Sequence, residues 1–357
     1  MDSNNKKYKI LLTGGGSGGS VMPLLAVAEE LKDREVEFLW LGTSFGPERD
    51  MVERAGIKFR AISGGKWRRY FSLKNLTDIF KIKFGFWQAF FIMLKRHPCL
   101  VISAGSFISV PVIWAAWILR VPVLIHQQDI VPGLANKLMA PLARVVTVAF
   151  EKSLADYGKK AVWIGNPVRQ SLKFPISNFQ FPINKNSPVA LIMGGGTGAE
   201  AINKLVAESL SELTKFCNII HITGKDKGIR NQESGIRNYV SYEFLDVEQM
   251  AEVMKAADLV VTRAGMGFLS ELSYLGKPSI IIPLPDSHQE TNAEFFKDKK
   301  AAVVIKQKNL TAENFAPIIK GLLADEKKLK ELSINIGQAM RKEANQAMLK
   351  IINKIIK

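Results

Sequence analysis

Residues 9–20 read KILLTGGGSGGS, and residues 189–199 read VALIMGGGTGA. Each is a short apolar run that breaks into a cluster of glycines and then into a helical pattern. An apolar run without alternation is a strand buried on both faces, as in a parallel sheet covered by helices. Glycines at its end let the chain turn tightly. They also let backbone N–H groups approach an anion at a helix start, where the dipole favours negative charge. The unit occurs once in each half, which predicts two doubly wound domains, each presenting a glycine loop.

The rest of the chain supports that division. In the first half, residues 8–12, 36–41, 100–102, 122–125, 145–149 and 161–164 read as buried strands, with helical spacing at 24–33 and 134–143. Residues 171–187, SLKFPISNFQFPINKNS, carry Pro and Asn without periodicity and suit a linker. Strand patterns then restart at 189–193, 218–222, 259–262 and 279–283. The expected boundaries are a first domain at 1–166, a linker at 167–187 and a second domain at 188–357, whose last helix has the option of packing back on the first domain. Residues 107–125, FISVPVIWAAWILRVPVLI, approach the length of a membrane span, but Pro111, Arg120 and Pro122 interrupt them. A helix at 111–119 followed by a buried strand at 121–125 fits better.

Composition narrows the class. An apolar fraction of 47% with 23% charged residues is that of a soluble globular chain. Only Cys99 and Cys217 occur, in no metal-ligand spacing, and the N-terminus shows no signal core, so a reducing cytosol is expected. The formal charge of +16 favours anionic partners. Nucleic acid is not expected among them, because no helix-turn-helix, zinc-finger or RNA-recognition pattern is present.

The glycine loops admit several ligands in principle. Gly14, Gly16 and Gly19 match GxGxxG, and Gly194, Gly196 and Ala199 match its alanine variant. A dinucleotide site also needs an acid at the end of the next strand. Here those strands end in Leu41-Gly42-Thr43 and Ile222-Thr223-Gly224. Neither loop ends in the GK[ST] of a P-loop.

Longer motifs carry a resemblance. They are GGGSGGSVMPLLAVA (14–28), SAGSFISVP (103–111), PVLIHQQDIVPGLANKL (122–138) and GNPVR (165–169) in the first half. The second half adds GGGTGAEAIN (194–203), FLD (244–246), ADLVVTRAGMGFLSEL (257–272), GKPSIIIPLP (276–285) and HQETNA (288–293). In this order the chain resembles, nearly end to end, the MurG family of peptidoglycan synthesis. The resemblance implies an α/β protein of GT-B architecture, with two Rossmann-like doubly wound parallel-sheet domains facing a cleft. It implies an inverting glycosyltransferase that moves GlcNAc from UDP-GlcNAc to the MurNAc C4 hydroxyl of undecaprenyl-pyrophosphoryl-MurNAc-pentapeptide (lipid I to lipid II). No cofactor and no metal are expected, and the chain has no Asp-x-Asp pair.

The same resemblance assigns residues. Glu271 would accept the donor ribose hydroxyls; Arg263, Gly265, Met266 and Gly267 would meet the diphosphate and uridine, with Gly195, Gly196 and Thr197 as the second loop. Phe244 and Leu245 align with a uracil pocket, Arg169 with a phosphate, and His288, Gln289 and Asn292 with the sugar hydroxyls. Ser17, Gly18 and Gly19 would meet the acceptor pyrophosphate, and Ser20, His126 and Asp129 stand at the catalytic positions. Three loops depart from the family pattern. Its GGTGGH ends here in Gly18-Gly19-Ser20, its HEQN reads His126-Gln127-Gln128-Asp129, and Gly196-Thr197 replaces the Ser-Gln of GGSQGA. Serine without a partner is a poor general base. Three explanations stay open: Asp129 as base, a displacement needing little base assistance, or a weakened or redirected relative.

Residues 66–96 mix eight Lys or Arg with nine Phe, Trp or Tyr. Such a face suits docking on an anionic leaflet, and packing of the aromatics into the core explains it equally. The expected partners are UDP-GlcNAc, lipid I, an anionic membrane surface at the cytoplasmic side of the plasma membrane, and proteins of cell-wall synthesis or division. The rival readings are a related nucleotide-sugar transferase with another lipid acceptor and a non-catalytic nucleotide-sugar binding relative. A UDP-GlcNAc 2-epimerase shares the fold type, but residues 66–96 and the motif at 126–138 argue against it.

Overall fold

The computed structural model describes residues 8–16, 18–65, 73–174, 186–195, 198–227 and 236–356. The chain forms two compact units, residues 1–169 with 341–357, and residues 170–340. The first unit begins β1 (Tyr8–Thr13), α1 (Met22–Glu30), β2 (Val36–Gly42), α2 (Glu48–Arg54) and β3 (Lys58–Ala61). It continues α3 (Leu73–Arg96), β4 (Leu100–Ser103), α4 (Ser109–Ile118), β5 (Val123–Gln127), α5 (Leu134–Met139), β6 (Val145–Val148) and β7 (Ala161–Trp163). All seven strands are parallel, in the order β3-β2-β1-β4-β5-β6-β7.

The apolar runs are buried on both faces, as the absence of alternation predicts. On β1, Ile10 and Leu12 point into one core with Leu24, Val27, Leu100 and Ile102. Leu11 points into the other core, with Met93, Val112, Ile113 and Ile125. One face is covered by α1 and α2, the other by α3, α4 and α5. The apolar stretch 107–125 resolves into α4 and β5, both with buried faces, and no helix among the described residues is long and apolar enough to cross a membrane.

The second unit holds β8 (Val189–Met193), α6 (Glu200–Leu213), β9 (Asn218–Ile222), β10 (Tyr239–Tyr242), α7 (Val247–Ala256) and β11 (Leu259–Thr262). After these come α8 (Met266–Leu275), β12 (Ser279–Ile281), α9 (His288–Asp298), β13 (Val303–Val304), α10 (Ala312–Ala324) and α11 (Glu326–Ala339). Its strands are also parallel, ordered β10-β9-β8-β11-β12-β13.

The final helix, α12 (Ala344–Ile356), lies in the first unit, not with the residues that precede it. Its apolar positions Met348, Ile352 and Ile355 recur at helical spacing and join the core beside α1. Asn345 fixes its start: Val168 N–H donates to Oδ1 (2.9 Å), and Nδ2 donates to Val168 O (2.8 Å) and Glu30 (3.0 Å). Residues 167–169 go with the first unit and 170–174 with the second, while 175–185, most of the expected linker, lie outside the described residues.

Candidate active site

In an open parallel sheet, ligands gather where the strand order reverses, outside the carboxyl ends of the strands. That point lies between β1 and β4 in the first unit and between β8 and β11 in the second. The two glycine clusters leave the sheets at β1 and β8, so the sequence places both at these switch points.

In the first unit the loop after β1 is tied from several directions. Trp40 Nε1 donates to Gly14 O (2.9 Å) and Ser106 Oγ donates to Gly15 O (2.7 Å). Gly16 N–H donates to the buried carboxylate of Glu48 (3.0 Å). Ser20 is 8% exposed, and its Oγ has no hydrogen-bond partner among the described residues. Gly18 and Gly19 border it, at the entry to α1, while Ser17 lies outside the described residues. The neighbouring loop after β4 carries Ser106 at φ 107°, a region where a non-glycine residue is strained.

His126 sits on β5 and is fully buried. Its Nδ1 lies 3.0 Å from Thr147 Oγ1 and its Nε2 2.7 Å from Asn166 Oδ1. Burial lowers its pKa from the ordinary 6.5 to about 4. The ring is neutral, walled in and engaged at both nitrogens, so the structure gives it a place in the scaffold and not against a reacting hydroxyl. Asp129, in the turn after β5, is half-buried. That turn is shaped by Gln127, whose Nε2 donates to Asp129 O (2.7 Å) and Val131 O (3.4 Å). Its Oε1 accepts from Tyr157 (2.9 Å) and Asn136. An amide both donates and accepts, whereas a carboxylate there would only accept. The glutamine in the family's glutamate position therefore works as a hub for the turn.

In the second unit α8 begins just after β11, with Gly265 as an extended N-cap that has no side-chain cap. Its first-turn amides have no partners within the helix, a ready anion site. Met266 and Gly267 are buried in that first turn. After β8, Gly195 takes a left-handed turn (φ 88°), and Gly196 and Thr197 lie outside the described residues.

The expected sugar readers are mostly occupied with holding this turn. Gln289 Oε1 accepts from Ala264 N–H (3.2 Å) and Leu284 N–H (3.1 Å), and fully buried Asn292 donates to Ala264 O (3.2 Å). His288 is exposed at the first position of α9. Arg263, expected on the diphosphate, is 6% exposed. Its Nη1 donates to Ile282 O and Pro283 O (both 3.1 Å), and its Nη2 to Gln307 (2.7 Å). Glu271 is buried within α8. Phe244 is 52% exposed and Leu245 buried, on a turn fixed by the capping box of Asp246 and Gln249. Arg169, assigned to the donor, belongs to the first unit, where Nη2 lies 3.9 Å from Met22 Sδ at the start of α1.

Sequence reasoning missed Glu48 and Ser106. A search for an acid at the end of β2 stops at Thr43; the acid comes five residues later and reaches back under the loop.

Two parallel-sheet domains with glycine turns at both switch points give the chain the GT-B architecture of glycosyltransferases. Residues 10–148 match the glycosyltransferase family 28 N-terminal domain, and residues 189–348 match the family 28 C-terminal domain. The chain is 41% identical to a Clostridium kluyveri protein named UDP-N-acetylglucosamine–N-acetylmuramyl-(pentapeptide) pyrophosphoryl-undecaprenol N-acetylglucosamine transferase, over 98% of each chain. A Clostridium novyi protein of the same name is 38% identical over 98% of this chain and 99% of its own. The crystal structure of Acinetobacter baumannii MurG superposes with a TM-score of 0.70 at 26% identity, covering 97% of this chain and 99% of that one. The chain belongs to glycosyltransferase family 28 and, within it, to the MurG family.

Proposed function

We propose that this protein transfers GlcNAc from UDP-GlcNAc to the MurNAc C4 hydroxyl of undecaprenyl-pyrophosphoryl-MurNAc-pentapeptide, converting lipid I to lipid II. The observation that carries this reading is 41% and 38% identity, each over 98% of the chain, with relatives bearing that name. The C4 oxygen attacks the anomeric carbon, the bond to the UDP oxygen breaks, and the configuration inverts. The first turn of α8 faces the charge growing on the leaving diphosphate with fixed amide dipoles. No divalent cation has a role in this account, which is consistent with a chain lacking any Asp-x-Asp pair.

Asp129 takes the proton from the hydroxyl. His126 is sealed from solvent and Ser20 is a weak base, whereas Asp129 is the carboxylate on the turn at the carboxyl end of β5. The Ser20 hydroxyl instead donates to the acceptor pyrophosphate, which would satisfy its orphaned oxygen.

The acceptor is a membrane lipid, and α3 supplies a face to reach it. Leu76, Phe80, Phe84, Trp87, Phe91 and Leu94 follow at intervals of three and four, each exposed by 41% or more. Trp117 and Ile118 of α4, which packs on α3, are exposed as well. Lys81, Lys83 and Lys95 are exposed on the same helix. An amphipathic helix of this composition lies in the plane of an anionic leaflet. Residues 66–72 lie outside the described residues. The test of the whole reading is UDP release from UDP-GlcNAc that depends on a short-chain lipid I analogue and persists in EDTA.

A further inference from the structure

Glu48 is a carboxylate at the first position of α2, yet it is 0% exposed. One oxygen accepts from Gly16 N–H (3.0 Å), the other from Thr43 N–H (2.7 Å) and the Thr43 hydroxyl. Space for it is made by missing side chains. A β-carbon on Gly15 would lie 2.2 Å from Oε1, and one on Gly46 1.8 Å from Oε2. The absence of side chains at Gly15 and Gly46 is thus required by Glu48. A buried charge is costly unless several donors surround it, and here two of the three donors belong to backbone that it holds in place. The next peptide is held independently: Ser106 Oγ donates to Gly15 O (2.7 Å) from a strained residue after β4.

We propose that Glu48 and Ser106 are positioning residues that lock Gly14–Gly16 and turn the Gly16 amide away from the ligand. Among the described residues of this loop, an anion is then read by Gly18, Gly19 and Ser20 at the entry to α1 and not by the Gly16 amide. The locked turn keeps the loop of the first unit from serving as a second nucleotide-phosphate nest, although it copies the glycine pattern of the other unit. The proposal rests on the transferase reading for the identity of the anion, the acceptor pyrophosphate. The lock itself is independent of that reading.

The experiment combines steady-state kinetics with hydrogen exchange on the full-length protein. In Glu48→Gln, the amide nitrogen faces the Gly16 N–H or surrenders Thr43, so one charge-assisted bond is lost. The acceptor KM then rises about tenfold, while the KM for UDP-GlcNAc stays unchanged. Exchange of the Gly16 amide accelerates in parallel. Ser106→Ala, at a half-buried serine, shifts the same two readouts in the same direction. Unchanged Gly16 exchange in either folded variant overturns the lock, and so does an equal rise in both KM values. If the wild-type protein transfers nothing to the acceptor, the transferase reading fails, and the exchange arm still decides the role of Glu48.

Discussion

His126 and His221 illustrate how one residue type changes meaning on burial. His126 is fully buried between Thr147 and Asn166 in the first unit, and His221 is fully buried between Asn203 and Tyr239 in the second. Desolvation lowers both from 6.5 to about 4. Above pH 6.5 both folded and unfolded chains hold neutral imidazole. Below it, the unfolded chain takes up protons that the folded one refuses until about pH 4, so stability falls across that window. Thermal midpoints are expected to drop from about pH 7 to about pH 5, and to drop less in His126→Gln and His221→Gln; an equal drop in the variants would contradict this. At Asp129 the expectation concerns chemistry. Asp129→Asn lowers kcat by about 10²–10⁴-fold, the usual contribution of a general base, with UDP-GlcNAc binding intact. A near-normal kcat would place the proton transfer elsewhere. Sequence alone revealed which positions were unusual. It did not show that Gln127 holds the turn while His126 is enclosed, because both facts depend on contacts with Asn136, Tyr157, Thr147 and Asn166 from distant parts of the chain.

Among the elements, α3 makes the clearest prediction. Its face divides: Ala89, Ile92 and Met93 enter the core, and Phe80, Phe84, Trp87 and Phe91 stay outside. Each aromatic fully transferred from water to lipid contributes about 1.5–3 kcal/mol. Binding to vesicles containing anionic lipid is therefore expected, weakening with salt and lost in the triple variant Phe84→Ser, Trp87→Ser, Phe91→Ser. Equal binding to neutral vesicles, or binding untouched by the triple change, would remove α3 from this role. The composition of residues 66–96 left core packing and lipid contact equally open; the helix buries one apolar face and leaves the other exposed. Central strands were legible because unbroken apolar runs such as 189–193 are rare outside parallel sheets. The edge strands β3 (KFRA), β10 (YVSY) and β13 (VV) were not, since each is short and buries only part of its surface. The edge strand β7 was read at 161–164, but as buried, and it is only partly so.

Over the whole molecule, the repeat of strand, glycine cluster and helix revealed two domains before any contact was known. It did not reveal where the chain returns. Residues 344–356 show a helical apolar pattern that fits the face of either sheet. What assigns α12 to the first unit is packing at Met348 and Ile352, the Asn345 clamp on Val168, and Arg341, which donates to Trp163 O (2.8 Å) and lies over its ring. Family membership follows from the whole chain in the same way, since the motifs are weak singly and specific in order.

The most direct test of the proposed transfer is to incubate the purified protein with UDP-GlcNAc in EDTA, with and without a short-chain lipid I analogue, and follow both UDP and the lipid product. The account predicts UDP release only with the analogue, matched by a GlcNAc-MurNAc disaccharide on the lipid. UDP-GlcNAc binding without acceptor-dependent release, or activity that returns only when Mg²⁺ or Mn²⁺ is restored, would contradict it.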